Sequence, residues 1–558
     1  MARARAFPLL CAALCANAFA QPAGQGVISG TVVEASGSAP VRKAIVTLTW
    51  QGTPRSWATE RTDGSGRFVF EGLPPGKYDL RANKPGLGVA IYGADSVREL
   101  GDLITLGDGE GRRDLKLAFL RSATIAGRVM DHDGDPLPGV NVSLLRTGRN
   151  LGERILVNYR NASTDDRGEY KISNIDPGQY YLISRPNMQR QIGRTQQEMP
   201  VPQYYGGARD PKDAAAIHVR GGEVLTGIDF NLSTTHPARI TGRITGVPDI
   251  DPAAQEPRPS RHGGGIAMFD DRDVQVVLHP ADDSQQYWGE GAGARGPDYR
   301  FELGDQMPGR YRVQATVRSK DKTYYESQVV DAQEGLNDLV LVMTPAVRVK
   351  GHLKVEGPAA NPVESFTVAL AQPGEAPGGR AHSSRVAKDG TFTFDEVPPG
   401  DWTLNITPNT GGLFDKSVHL GDKDFLYKRI ELPPGSDAPL EVVISSNTAV
   451  VQGQIDGGDA AGKRVGILIE PVGKLHTLAR FYYSGIADDS GNFKVRGVAP
   501  GKYKIIALEK IATENFRNPE SGDLLDGFGE ELEVTEGATV EALPKLVPEE
   551  KARELLKP

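Results

Sequence analysis

Residues 62–78 read Thr-Asp-Gly-Ser-Gly-Arg-Phe-Val-Phe-Glu-Gly-Leu-Pro-Pro-Gly-Lys-Tyr, and this stretch decides the fold. An aspartate opens a turn, a glycine takes the left-handed position, and alternating Phe68 and Phe70 start a half-buried strand. Pro74 and Pro75 end that strand, because proline fixes φ and cannot donate to a ladder. Gly76 supplies the backbone freedom of the second turn. Tyr78, Leu80 and Ala82 then share one face of the next strand. Two strands joined by turn chemistry form a β-hairpin.

The pattern recurs. Thr164-Asp165-Asp166-Arg167-Gly168-Glu169-Tyr170, Lys388-Asp389-Gly390-Thr391-Phe392 and Ala487-Asp488-Asp489-Ser490-Gly491-Asn492-Phe493 repeat the first turn. The second returns as Ile175-Asp176-Pro177-Gly178-Gln179-Tyr180, Met307-Pro308-Gly309-Arg310-Tyr311, Val397-Pro398-Pro399-Gly400-Asp401-Trp402 and Val498-Ala499-Pro500-Gly501-Lys502-Tyr503. Upstream of each unit stands an apolar-x-Gly-x-apolar strand, centred on Gly30, Gly127, Gly242, Gly351 and Gly453. The openings lie roughly a hundred residues apart, a usual domain size. The reading is an all-β chain: a tandem array of five antiparallel β-sandwich modules over 21–121, 122–236, 237–345, 346–447 and 448–547. Module three diverges through a Pro/Gly-rich insertion at 247–272. Module two carries a polar loop, Asn187 to Ala216. The tail, 548–558, holds a short helix candidate with Glu549 and Glu550 at its start.

Residues 1–20 have the layout of a secretory signal: Arg3 and Arg5, an apolar run from Phe7 to Ala16, and Ala18-Phe19-Ala20 as a cleavage site. The expectation is export to the periplasm or medium, in a bacterium. Both cysteines, Cys11 and Cys15, fall in this segment, so stability must come from apolar cores. The net charge of −8 becomes two units more negative without Arg3 and Arg5, which argues against a nucleic-acid partner. No later stretch reads as a membrane span.

The combination of Gly-x-Val, Thr-Asp-x-x-Gly-x-Phe and Pro-Pro-Gly-x-Tyr resembles the carboxypeptidase regulatory-like domain. The resemblance implies a seven-stranded, transthyretin-like sandwich, grouped with the starch-binding-like, carbohydrate-binding-like fold. Modules one, two, four and five carry it well; module three keeps its opening and its Pro-Gly-Arg-Tyr turn. These residues build turns, so the resemblance implies a fold more than an activity.

The family name invites a search for a zinc peptidase. No histidine is followed three residues later by glutamate, and His-Glu-x-x-His is absent. No Gly-x-Ser-x-Gly elbow is present. Gly291-Ala292-Gly293-Ala294-Arg295-Gly296 matches a dinucleotide fingerprint, but Pro297 and a strand follow where a helix is needed. Asp131-His132-Asp133-Gly134-Asp135 is half of a calcium loop, with Val142 where the closing acid belongs. It reads as an acidic turn, as do Asp63, Asp165, Asp389 and Asp488. No catalytic residue, metal ligand or cofactor is assigned.

Sugar binding needs aromatic faces beside polar groups. Trp402 takes the tyrosine slot of the repeat, and Trp50 shares a face with Val46 and Leu48, so both read as core. The ligand-binding candidates are Trp57, Tyr204, Tyr205, Tyr287 and Trp288. The expected function is an exported, non-catalytic binding protein with a polysaccharide or glycan ligand. The alternatives are a stalk or adhesin-like scaffold with an envelope or extracellular protein partner, and an accessory part of a secreted peptidase or outer-membrane transport system. The last rests on the fusion of similar modules to such proteins.

Overall fold

The computed structural model describes residues 26–555, apart from breaks of which the longest are 187–198, 250–273, 281–290, 373–381 and 517–524. The described residues within 1–97 and 101–121 form one compact unit, and those within 98–100 and 122–558 a second. Both are built of β-sheets; a seven-residue helix, Glu549–Leu555, closes the described chain and buries Ala552. The signal-like segment lies outside the described residues, as does the insertion of module three from residue 250 on.

The first unit is one sandwich. The opening strand Gly26–Val33 lies between Arg67–Leu73 and Gly111–Ala118. Facing it is a sheet ordered Ser56–Arg61, Ile45–Trp50, Gly76–Lys84, Gly88–Ile91, with Ile104–Leu106 also on Gly76–Lys84. Ile28, Val32, Val46, Leu48, Phe68, Phe70, Tyr78 and Leu80 fill the space between. These are the alternate positions of their strands, as a two-layer sandwich requires.

The second unit repeats the plan around four further large apolar clusters, which centre on Ile125, Val313, Val368 and Ile467. In every module the opening strand runs antiparallel to the hairpin strand and parallel to the module's terminal strand or segment. The recurrent glycine sits at this parallel contact. A Cβ at Gly30, Gly127, Gly242, Gly351 or Gly453 would overlap the backbone carbonyl of Leu115, Ile228, Leu339, Leu440 or Ala542, respectively. Glycine is repeated there because two backbones approach closely.

The recurrent aromatic also has a common role. Tyr78 Oη donates to the Pro74 carbonyl at 2.5 Å, Tyr180 to Asp176 at 2.9 Å, and Tyr503 to Ala499 at 2.8 Å. Trp402 does the same with its indole Nε1, to the Pro398 carbonyl at 2.9 Å. Each ring fills a core while its polar tip ties down the carbonyl four residues back, across the Pro-Gly turn. Burial pushes the Tyr78 hydroxyl up to about 12, so it stays a donor.

Module four departs from the plan at one strand. After the Pro-Gly strand, modules one, three and five have Gly88–Ile91, Lys322–Asp331 and Glu530–Val534, each paired to that Pro-Gly strand. In module four Ile430–Leu432 keeps such a pairing with Gly400–Thr407, but Phe414–Leu420, which precedes it, changes sheet and pairs antiparallel with the terminal strand Leu440–Ser445. The switched strand serves two modules. Val418 and Leu420 enter the core of module four, while Phe414 joins that of module five. Next to it, Arg480 bonds Asp415 at 2.8 Å, with its guanidinium carbon 4.9 Å from the Tyr427 ring centre and 5.1 Å from that of Phe481. Those two rings meet edge-on at 5.2 Å. Lys416 Nζ bridges Glu356 at 2.7 Å and Glu536 at 2.8 Å, and Ser445 Oγ donates to Glu536 at 2.8 Å.

This joint titrates. The ammonium groups of Lys354 and Lys416 bring the Glu356 carboxyl from its ordinary 4.5 down to about 2. A depressed carboxyl stabilises the folded state fully above its unfolded value and loses that contribution as pH falls through the folded one. The joint is therefore expected to weaken between about pH 4.5 and 2. Lys416→Met should flatten that part of the profile of unfolding midpoint against pH, and added salt should mimic the substitution. An unchanged slope in Lys416→Met would assign the acid sensitivity elsewhere.

Candidate functional site

Trp57 lies on Ser56–Arg61, an edge strand of the first unit, and is 74% exposed. Its direction follows from register. Leu48 and Leu80 are opposite each other and face the core, with Ala58 in the same row. Trp57, Thr49 and Asp79 form the adjacent row and face outward. The next outward rows are Thr59, Thr47 and Arg81, then Arg61, Ile45 and Asn83. Asp79 is buried and accepts from Arg81 Nε at 2.8 Å. The half of the face nearer the edge is open. It presents an indole, Ile45 at 45% exposure, and the hydroxyls of Thr47, Thr49 and Thr59.

The tyrosine candidates are placed differently. Gln203–Tyr204, read from sequence as part of a loop, is a short strand on Gly178–Arg185. The Tyr204 ring is 2% exposed and sits with Leu145, Tyr181 and Ile183 in a small core of its own. Tyr205 is partly buried, edge-on to Phe230 at 6.1 Å. Both rings serve packing, Tyr204 in the small core and Tyr205 against the larger core of its module. Tyr287 and Trp288 lie outside the described residues. Trp402 is buried at 1%, and Trp50 packs partly buried against the core of its module.

The acidic turns are filled by the chain's own amides. Asp63 Oδ1 accepts from Ser65 N at 2.9 Å and Arg67 N at 2.8 Å; Asp165 Oδ1 accepts from Arg167 N and Glu169 N, both at 2.9 Å. Asp131 holds Asp133 N at 3.0 Å and Asp135 N at 2.9 Å in the same way. The amide of Arg67 and that of Glu169 pull the Asp63 and Asp165 carboxyls below their ordinary value. Among the described residues no group of three or more His, Cys, Asp or Glu is arranged to hold a metal ion. The stretch matching a dinucleotide fingerprint begins in a strand, Gly291–Ala294, paired with Val274–Pro280. No helix among the described residues is long and apolar enough to cross a membrane.

One arrangement carried no sequence signal. Tyr159 stands at a bulge of the long hairpin Asn141–Asn150 and Glu153–Ser163. Its hydroxyl donates to Asp176 Oδ2 at 2.6 Å, and the guanidinium carbons of Arg146 and Arg160 lie 5.4 and 5.1 Å from its ring centre. The Asp176 of the turn motif thus braces the hairpin, a link that only the folded chain reveals.

No curated protein matches the chain. Among solved structures, the minor pilin GBS52 of Streptococcus agalactiae matches at 14% identity and a TM-score of 0.22, covering 38% of this chain and 97% of its own. The shaft pilin SpaA of Lactobacillus rhamnosus GG matches at 9% identity and 0.23, covering 38% and 98%. The Bacillus anthracis TIE protein matches at 10% identity and 0.15, covering 72% and 68%. Scores this low carry no conclusion about function. The model of the carboxypeptidase regulatory-like domain matches residues 27–98 and 124–200. Those segments hold the opening strand, acidic turn and Pro-Gly aromatic of modules one and two. The chain is thus an all-β repeat protein whose first two modules match the model of the carboxypeptidase regulatory-like domain.

Proposed function

We propose that the chain is an exported, non-catalytic binding scaffold whose ligand is a carbohydrate, held on the open half of the first unit's outer face. Trp57 carries this reading. The indole is 74% in solvent and shares the outer face of its sheet with Ile45 at 45%, which gives that face an exposed apolar platform beside hydroxyls. Its row and the next supply hydroxyls at Thr49, Thr47 and Thr59, which suit the equatorial hydroxyls of a sugar while the indole stacks on the ring's C–H face. Tryptophan fluorescence of the chain, titrated with soluble glycans, tests the reading. A saturable shift is expected, and Trp57→Ala should weaken binding by at least about tenfold. Saturable binding unchanged in Trp57→Ala would remove this face from the proposal, and no shift with any glycan would remove the ligand class.

The joint between modules four and five favours a second reading, a structural scaffold with a protein partner. Phe414, on a strand paired within module four, packs in the core of module five and couples the two mechanically.

A further inference from the structure

The switched strand of module four shows what the terminal strand of a module accepts on its outer edge: an antiparallel strand with apolar residues at alternate positions. The corresponding edge in module three, Leu336–Val342, ends its sheet with no strand beside it among the described residues. Other terminal strands at an edge carry charge. Gly111–Ala118 in module one has Arg112, Arg113, Asp114 and Lys116, and Thr539–Ala542 in module five has Glu541. Charges on an edge discourage pairing with another chain. In Leu336–Val342 the only charge is Asp338, and Leu339, Val340, Leu341 and Val342 follow without a break. Val340 and Val342 point away from the core and are 39% and 52% exposed.

The backbone of this strand is directed. Met343 N–H donates to the Thr245 carbonyl of the opening strand at 2.9 Å. Backbone groups alternate sides along a strand, so those of Leu341 and Met343 face the opening strand and those of Val340 and Val342 face the open edge.

We propose that this edge is a self-association surface, on which the same strand of a second copy of the chain pairs antiparallel across a two-fold axis at Leu341. The register follows from the directed backbone. Leu341 faces its own copy as a non-hydrogen-bonded pair. Val340 of each chain faces Val342 of the other, and each such pair exchanges two N–H···O bonds. The exposed valines become cross-strand neighbours and cover each other. The contact is isologous, so it closes at a dimer. A second copy is the occupant because its matching segment, Leu339–Val342, is uncharged and equally open, whereas the terminal strands of modules one and five carry charges that oppose pairing. This inference is independent of the carbohydrate reading.

Sedimentation velocity of the full chain from low to high micromolar concentration tests it. A reversible monomer–dimer equilibrium is expected. The Val340→Lys, Val342→Lys double variant should raise the dimer dissociation constant at least about tenfold, through like charges set side by side across the axis. Both side chains are surface groups, so the circular dichroism spectrum and unfolding midpoint should match the wild type and show the variant to be folded. A wild type that stays monomeric throughout overturns the proposal, as does a dimer that the two lysines leave intact. A monomer that takes up a labelled peptide of the sequence Phe414–Leu420 at this edge, in a lysine-sensitive way, would also overturn it. That outcome would assign the edge to an extended segment of another protein.

Discussion

Trp402→Ala is expected to destabilise module four by about 3–5 kcal/mol, enough to unfold it at physiological temperature. Among the described residues Trp402 is the largest fully buried side chain, at 1% exposure. Its removal takes away the centre of a cluster that includes Val349, Phe394, Leu404 and Ile430. The edge-on contact with His382 at 5.2 Å is lost as well. The Pro398 carbonyl, now accepting from Nε1 at 2.9 Å, loses its donor inside the turn. Trp402→Tyr separates the two effects. Modules one, two and five place a tyrosine hydroxyl on the equivalent carbonyl, so tyrosine should keep the hydrogen bond and give up only volume. The expected order is wild type, then Trp402→Tyr, then Trp402→Phe, then Trp402→Ala. Several modules in one chain unfold in more than one step. The measurement is therefore hydrogen exchange resolved by segment. Trp402→Ala should lose protection over Thr391–Val397 and Gly400–Thr407 first. Because Phe414 lies in the core of module five, the loss should spread to Val465–Pro471 before it reaches module three. Protection unchanged in module five would mean that the joint transmits nothing.

What the sequence disclosed and what it hid divide along chain distance. The acidic turn and the Pro-Gly turn are local devices, in which Asp63 bonds amides two and four residues ahead and Tyr78 a carbonyl four residues back. Local chemistry of that kind leaves a repeated signature, so the all-β repeat was legible, as was the core position of Trp402. The switch of Phe414–Leu420 to the other sheet was not. Its alternating pattern suits either sheet, and the choice is made by contacts with Leu440–Ser445 and with module five. Tyr204 shows the same limit at the level of one ring. A Tyr-Tyr-Gly-Gly run reads as an exposed loop, yet pairing with Ile183 folds it into a strand and buries the first tyrosine. Trp57 was legible as a candidate because it follows a turn at a strand end; its exposure depends on which face the register with Thr49 and Ala58 leaves outside.

The glycines of the opening strands are the sharpest case of a sequence feature explained by distant backbone. Within a strand, glycine costs about 0.5–1 kcal/mol relative to alanine, so the recurrence of five such glycines in one chain needs a reason. Gly127 supplies it. Its strand, Ala123–Met130, pairs parallel with Val224–Leu225 and with Phe230–Asn231. Between these two short pairings the Ile228 carbonyl lies directly over Gly127, where a Cβ would overlap it. That carbonyl accepts the Tyr170 hydroxyl at 2.6 Å, Ile228 N donates to Ala126 O at 3.2 Å, and Asp229 Oδ1 accepts from Arg128 N at 2.8 Å. Gly127→Ala must push this segment off the strand and strain three hydrogen bonds together. The expected loss is about 2–4 kcal/mol in module two, from overpacking plus unsatisfied groups. Gly304→Ala is the control. Gly304 also lies in a strand, Arg300–Gln306, but a Cβ there meets nothing within 4 Å. That substitution should be neutral or stabilise by up to about 1 kcal/mol, since alanine restricts the unfolded chain. Denaturant titrations of both variants, followed by exchange protection in the two modules, decide the matter. Equal effects at the two positions would mean that the glycines answer to strand propensity and not to the close approach of the terminal segment.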